Sequence, residues 1–375
     1  MHTRSLRSLA VAMAFLAMPA TLLAQQSWQP EVGLRAGFMH MSPSGATGAS
    51  FWDLPGGGFA SLGIPTPASL YGVVPMHGRW AIEIGLGAAQ ITSGFGDLST
   101  FVVAPRLDYA LTSHAYVAAG PTMGTIRLGG QGYTQWGAAG AVGYRFALSP
   151  RLTGRIEGYY EHRFEVSPST VPTTEVYGVT IGAAAAFGRS AAAPTRGVRS
   201  ERLAPAPGLW TPSVVLSGGF VTVFAPGKAN VSFFSLPGLG ISATNAVGVL
   251  IPGPPALTAI IPIGGRFAIE PGLDVHSVSP SGGSAFTVYQ VTARANYAID
   301  RHVYAAIGGA YGAASGSGSS YNEFAVTAAA GVRFPLAAGI GGRLEYDYAT
   351  WNGDGTNAPA IQTNSLLFGL VVPLR

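Results

Sequence analysis

The chain has no cysteine, so disulfides and thiolate metal sites are excluded. Charge is scarce as well. Asp, Glu, Lys and Arg make up 10% of its 375 residues, against about 25% in an ordinary soluble domain. Past the leader no apolar run could cross a bilayer as a helix. The best stretch, Val247 to Ile263, holds Pro252, Pro254, Pro255 and Pro262, and proline removes helix hydrogen bonds. The seven histidines are scattered, with no pair at metal-ligand spacing. No basic stripe follows from the formal charge of +4, which argues against a nucleic-acid partner. No cofactor is expected.

What the chain does have is glycine, aromatics and alternation. It carries 53 Gly, 15 Tyr, 18 Phe and 6 Trp. The glycines lack the period of collagen, and the aromatics argue against disorder. Residues 1–24 read as a signal peptide: Arg4 and Arg7, then an apolar run from Leu9 to Leu23, then Ala24.

The strongest signal is an internal repeat. Gly78-Arg79-Trp80-Ala81-Ile82-Glu83 aligns with Gly265-Arg266-Phe267-Ala268-Ile269-Glu270, an offset of 187. Gly154-Arg155-Ile156-Glu157 meets Gly342-Arg343-Leu344-Glu345, and Phe51-Trp52-Asp53-Leu54-Pro55-Gly56 meets Phe233-Phe234-Ser235-Leu236-Pro237-Gly238. The units are placed at 28–189 and 209–375. Between them, 190–208 reads as a periplasmic linker rich in Ala, Pro, Arg and Ser.

Eight segments of unit 1 alternate as strands, near 30–41, 67–76, 79–91, 100–111, 115–125, 135–148, 151–163 and 175–188. Most run 10 to 14 residues, suited to a tilted membrane strand. Tight turns at 75–78, 111–114 and 149–150 alternate with longer connections at 41–66, 92–99, 126–134 and 164–174. An oily outer face, a polar inner face and uneven rims together spell a transmembrane antiparallel up-and-down β-barrel. Two all-β readings stand: two eight-stranded units, or one sixteen-stranded barrel. The linker and the charged inner faces favour two; the small inward residues favour one.

Parity places Arg79, Glu83, Arg106, Asp108, Arg145, Arg155 and Glu157 inside unit 1. Arg266, Glu270, Asp274, Arg294, Arg333, Arg343, Glu345 and Asp347 fall inside unit 2. Enclosed charges must pair, so an Arg–carboxylate network is expected to fill each lumen. Trp52, Trp80, Trp136, Phe187 and Phe267 are assigned as interfacial aromatics.

In strand pattern, loop asymmetry and leader, the chain resembles the OmpA/OmpX-like outer-membrane β-barrel domain family, here duplicated in tandem over 28–189 and 209–375. The resemblance implies residence in the outer membrane of a Gram-negative cell envelope. It also implies outer-membrane lipid and the barrel-assembly machinery as partners, with a possible extracellular partner at the long loops. The chain departs from that family in ending Pro373-Leu374-Arg375 rather than in an aromatic residue. A structural or surface-interaction role is expected, with a passive porin and a rim-facing lipid-modifying enzyme as rivals. No Ser–His–acid set supports the last, and no enzymatic activity is expected.

Overall fold

The computed structural model describes residues 28–45, 48–54, 70–93, 96–128, 131–149, 152–166, 171–186, 209–224, 230–235, 254–316, 319–337, 340–353 and 360–374. The expected leader and linker, and Phe187, lie outside them. The described chain is all β. Unit 1 contributes β1 (Glu31–Pro43), β2 (Ala49–Leu54), β3 (Leu70–Pro75), β4 (Trp80–Ser93), β5 (Gly96–Ala110), β6 (Ala115–Leu128), β7 (Gln131–Ser149), β8 (Leu152–Arg163) and β9 (Thr174–Ala186). Unit 2 contributes β10 (Ser213–Phe224), β11 (Val231–Ser235), β12 (Leu257–Gly264), β13 (Phe267–Pro280), β14 (Phe286–Ala298), β15 (Val303–Gly316), β16 (Ser319–Ala337), β17 (Ile340–Gly353) and β18 (Ile361–Pro373).

Alternation sorts the side chains. On β8, Arg155, Glu157, Tyr159, Glu161 and Arg163 are buried, while Ile156 and Tyr160 between them are exposed. The same split runs round both units. Ile82, Ile84, Val142, Val179, Ile181, Ile269, Val326 and Phe368 face outward in a broad apolar belt. A one-residue slip would invert these faces, so burial fixes the register.

All neighbouring strands pair antiparallel. At the end carrying the tight turns, each unit closes on itself. Residues 31–34 of β1 pair with β3, β3 pairs with β4, and the circuit returns through β9 to β1. In unit 2, residues 213–216 of β10 pair with β12, β12 with β13, and β18 returns to β10. These are two eight-stranded barrels.

The opposite end is built differently. The second strand of each unit is broken into two pieces, β2 and β3 in one, β11 and β12 in the other. The piece nearer the loops binds its own first strand on one side: β2 pairs with β1 and β11 with β10. On its other side it binds the partner unit: β2 pairs with residues 275–280 of β13, and β11 with residues 89–92 of β4. At the loop end the pairing therefore runs β1–β2–β13–β14–β15–β16–β17–β18–β10–β11–β4–β5–β6–β7–β8–β9 and back to β1. That circuit has sixteen strands. Two narrow legs share one wide mouth, so each sequence-level alternative describes one end of the molecule.

Two further expectations need correction. The segment 41–66 is not one long loop, because β2 occupies part of it. The stretches 92–99 and 126–134 are mostly strand, leaving residues 94–95 and 129–130 between paired ends. Their Ser, Thr and Gly residues break the apolar alternation, yet backbone pairing continues past the belt.

Candidate functional site: the closed lumens

An eight-stranded barrel has an interior that side chains can just fill, and in each leg ionic side chains fill it. In unit 1 two carboxylates form the centre. Glu83 accepts from Arg106 at 3.0 Å, from Arg155 at 2.7 Å and from Arg35. Glu157 accepts from Arg35 at 3.1 Å, Thr180 at 3.3 Å, Arg106 and the Tyr116 hydroxyl. Asp108 lies 3.2 Å from Arg106 Nε. Nearer the turns, Glu31 joins Arg155 at 3.0 Å to Arg145. Every residue of this set except Arg145 is at most 9% exposed.

Unit 2 repeats the theme with fewer cations. Glu270 accepts from Arg343 at 2.7 Å, Thr258 at 2.6 Å and Asn296 at 2.8 Å, with Arg294 at 3.0 Å. Arg294 also donates to Glu345 and Asp347, each at 2.9 Å. Tyr304 donates to Glu345 at 2.5 Å, as Tyr116 does to Glu157. The place of Arg35 is taken by Ser217, which meets Arg343 at 3.4 Å. Asp274 instead accepts the Ala256 backbone N–H. The void beside the charges is about 20 Å³ in each leg, room for about one water.

A tryptophan closes the turn end of each leg. Trp28 precedes β1, is 3% exposed and donates its indole N–H to the Arg79 carbonyl at 2.8 Å. It packs edge-on to Tyr116, and the Arg145 guanidinium lies 4.4 Å over its ring. Trp210 does the same with the Arg266 carbonyl at 2.8 Å, Tyr304, and Arg333 at 3.9 Å. With Ser213 standing where unit 1 has Glu31, Arg333 donates to the Leu209 carbonyl.

Of the fifteen charged residues expected inside, Arg79 and Arg266 are not there. Both side chains are exposed. They sit in the β3–β4 and β12–β13 turns, where strand parity has ended. Gly78 and Gly265 turn the chain there at φ of 67° and 51°, values that favour glycine. Their backbone carbonyls, not their charges, hold the two tryptophans. The structure also supplies members that the sequence reading omitted: Glu31, Arg35 and a second tier at Glu161 and Arg163. Glu161 accepts from Arg163 at 2.9 Å, Thr122 at 2.7 Å and Tyr159 at 2.9 Å. Even spacing from Arg155 and Glu157 put both on the inner face, and a stricter use of parity finds them.

Among the interfacial aromatics, Trp80, Trp136 and Phe267 are 43%, 57% and 51% exposed. Trp80 and Phe267 lie at the turn end against Tyr109 and Tyr297. Trp136 lies in the loop half of β7, near the Gly137–Arg163 pair. Trp52 falls in β2. Among the described residues there is no cluster of His, Cys, Asp and Glu that could hold a metal ion.

No family model and no curated protein matches this chain. Among solved structures, it is similar to the attachment invasion locus protein Ail of Yersinia pestis, at 16% identity over 43% of this chain and 99% of that one (TM-score 0.25). It is also similar to the CymD monoaromatic hydrocarbon channel, at 11% identity over 96% of this chain and 92% of that one (TM-score 0.31). The Pseudomonas putida toluene transporter TodX matches at 10% identity over 96% and 92% (TM-score 0.27). At such scores the architecture rests on the strand pairings themselves: an all-β chain of two closed antiparallel eight-stranded barrels with oily exteriors.

Proposed function

We propose that this chain is an integral β-barrel protein of the bacterial outer membrane, acting as a closed anchor whose working surface is the loop-end mouth. One observation carries the reading: among the described residues, a tier of ion pairs spans the lumen of each leg above a buried tryptophan, with a void of about 20 Å³ beside it. The oily belt supports the membrane setting, since among β structures only a closed barrel satisfies every backbone group in lipid. The partners that follow are outer-membrane lipid, the barrel-assembly machinery during insertion, and an extracellular partner at the mouth. On this reading the chain performs no catalysis.

The passive-porin reading has one observation in its favour, the sixteen-strand circuit of the mouth. That width ends where the legs begin. Planar-bilayer recording separates the two. The closed anchor gives no stable steps, and large, steady single-channel currents from the purified protein overturn it.

A further inference from the structure

Among the described residues the legs meet both toward the mouth and toward the turn end. Strand exchange joins them toward the mouth. Toward the turn end, Ala185 meets Ile340 and Val372, with Leu152 packed alongside. Between these contacts lies a cavity of about 240 Å³. One wall is formed by Val32, Leu34 and Ala183, the other by Val214, Leu216 and Leu370. All its lining residues are Val, Leu, Ile or Ala. Leu148 also lines it and is 53% exposed, which marks a lateral opening onto the belt.

Water is a poor occupant, because a buried water needs two to four polar partners. An apolar cavity of roughly 150 Å³ already takes up benzene. Strand parity continues the lining of this crevice into the outward belt: Ala183 follows Val179 and Ile181 on one face of β9. Under the membrane reading, the medium at that height is hydrocarbon. The strands framing the turn-end side, β9 and β10, are joined through residues 187–212.

We propose that the crevice between the legs is a lipid site, holding one acyl chain of a phospholipid from the turn-side leaflet. The lipid completes the packing between two barrels on the turn side of the strand exchange that joins them. This inference rests on the membrane placement proposed above.

The test uses the full chain, folded in detergent with palmitoyl-oleoyl phosphatidylglycerol, stripped by detergent exchange and weighed by native mass spectrometry. One phospholipid is expected to persist per chain. Ala183→Phe fills the crevice and is expected to lower that occupancy at least tenfold. Val179→Phe, on the same strand face but out in the belt, leaves it unchanged. Ala183→Leu is a milder filling that serves if the larger one misfolds by circular dichroism. Wild type that retains no lipid overturns the proposal, as it does if the linker itself fills the crevice. Retention unaffected by either filling overturns it too. Flotation with phosphatidylglycerol vesicles separates the two levels: protein that floats without a retained lipid sinks the crevice alone, whereas protein that fails to float sinks the membrane placement.

Discussion

Arg106 is the residue on which the unit 1 lumen depends most. Its guanidinium meets three carboxylates, Glu83, Asp108 and Glu157, at 7% exposure. Removing one partner of a buried ion pair costs about 3–5 kcal/mol, because the other charge is left uncompensated. Arg106→Ala, which removes the ion pair of Asp108, should fall in that range, and so should Arg294→Ala, which removes that of Asp347 and one cation each from Glu270 and Glu345. Arg35→Ser supplies the contrast. It gives unit 1 the residue that unit 2 carries at Ser217, and Glu83 still keeps Arg106 and Arg155 while Glu157 keeps Arg106 and Tyr116. Its cost should be that of lost charged hydrogen bonds, about 1.5–3 kcal/mol. Replacing a pair together, as in Arg106→Met with Glu157→Met, should recover much of the single-variant loss, since apolar replacement of buried ions is often neutral. Urea unfolding in detergent micelles, followed by tryptophan fluorescence, measures all four. Arg106→Ala within about 1 kcal/mol of wild type would refute the reasoning, and so would Arg35→Ser costing as much as Arg106→Ala.

A Cβ at Gly143 would lie 2.2 Å from the Tyr116 ring, and one at Gly331 2.4 Å from the Tyr304 hydroxyl. Gly143→Ala and Gly331→Ala should each destabilise by about 1–3 kcal/mol, whereas Gly140→Ala, whose nearest neighbour is 3.6 Å away, should stay within about 0.5 kcal/mol in the same unfolding assay. Asp300, in the β14–β15 turn, accepts from the Val303 and His302 amides, which hold its carboxyl below the usual aspartate range. A depressed value means the stabilisation is present above the ordinary range and fades as pH falls through the folded-state value. The urea midpoint of wild type should therefore exceed that of Asp300→Ala at pH 6, and the two should converge below pH of about 4. Gln90 stands directly opposite Phe234 across the β4–β11 seam, at a spacing that a disulfide can bridge. In a chain with no other cysteine, Gln90→Cys with Phe234→Cys should oxidise to a cross-link seen by peptide mapping, and a persistently free thiol pair would refute the shared mouth.

Much of this molecule is written in its alternation. Seven of the charged residues assigned inside unit 1 follow from parity alone, and six of them lie there. Arg79 fails because parity has meaning only within a strand, and Arg79 lies in the turn one residue before β4 begins. Glu31 and Arg35 share a face with Gly33 on β1, a signal present in the sequence but masked by the apolar residues around them. The plugs leave a fainter trace: Trp28-Gln29-Pro30 and Trp210-Thr211-Pro212 repeat the same Trp-x-Pro before each first strand. The strand exchange leaves none. β2 and β11 are 6 and 5 residues long, and which edge each one meets is decided by chain segments more than a hundred residues away. Local pattern carries no such information.

The exchange has a simple hydrogen-bond logic. Suppose both barrels closed separately along their whole height. β2 would then lie between β1 and β4, and β11 between β10 and β13. In the observed arrangement β2 lies between β1 and β13, and β11 between β10 and β4. Each short strand has two paired edges either way, so no backbone group is gained or lost, and no edge is exposed to another chain. What changes is circumference. Two separate eight-stranded mouths would each need bulk to fill them, and the inner face of the loop half carries small residues, Gly124, Gly137 and Ala139 in unit 1 and Gly312, Ala314 and Ala325 in unit 2, among larger ones such as Met41, Gln135, Trp351 and Ile361. Pooling the strands relieves that demand at the loop end, while the arginine-rich tiers meet it in the legs. The break in each second strand falls where the two regimes meet: β3 and β12 pair within their own unit below it, and β2 and β11 reach the other unit above it, while β4 and β13 run through unbroken.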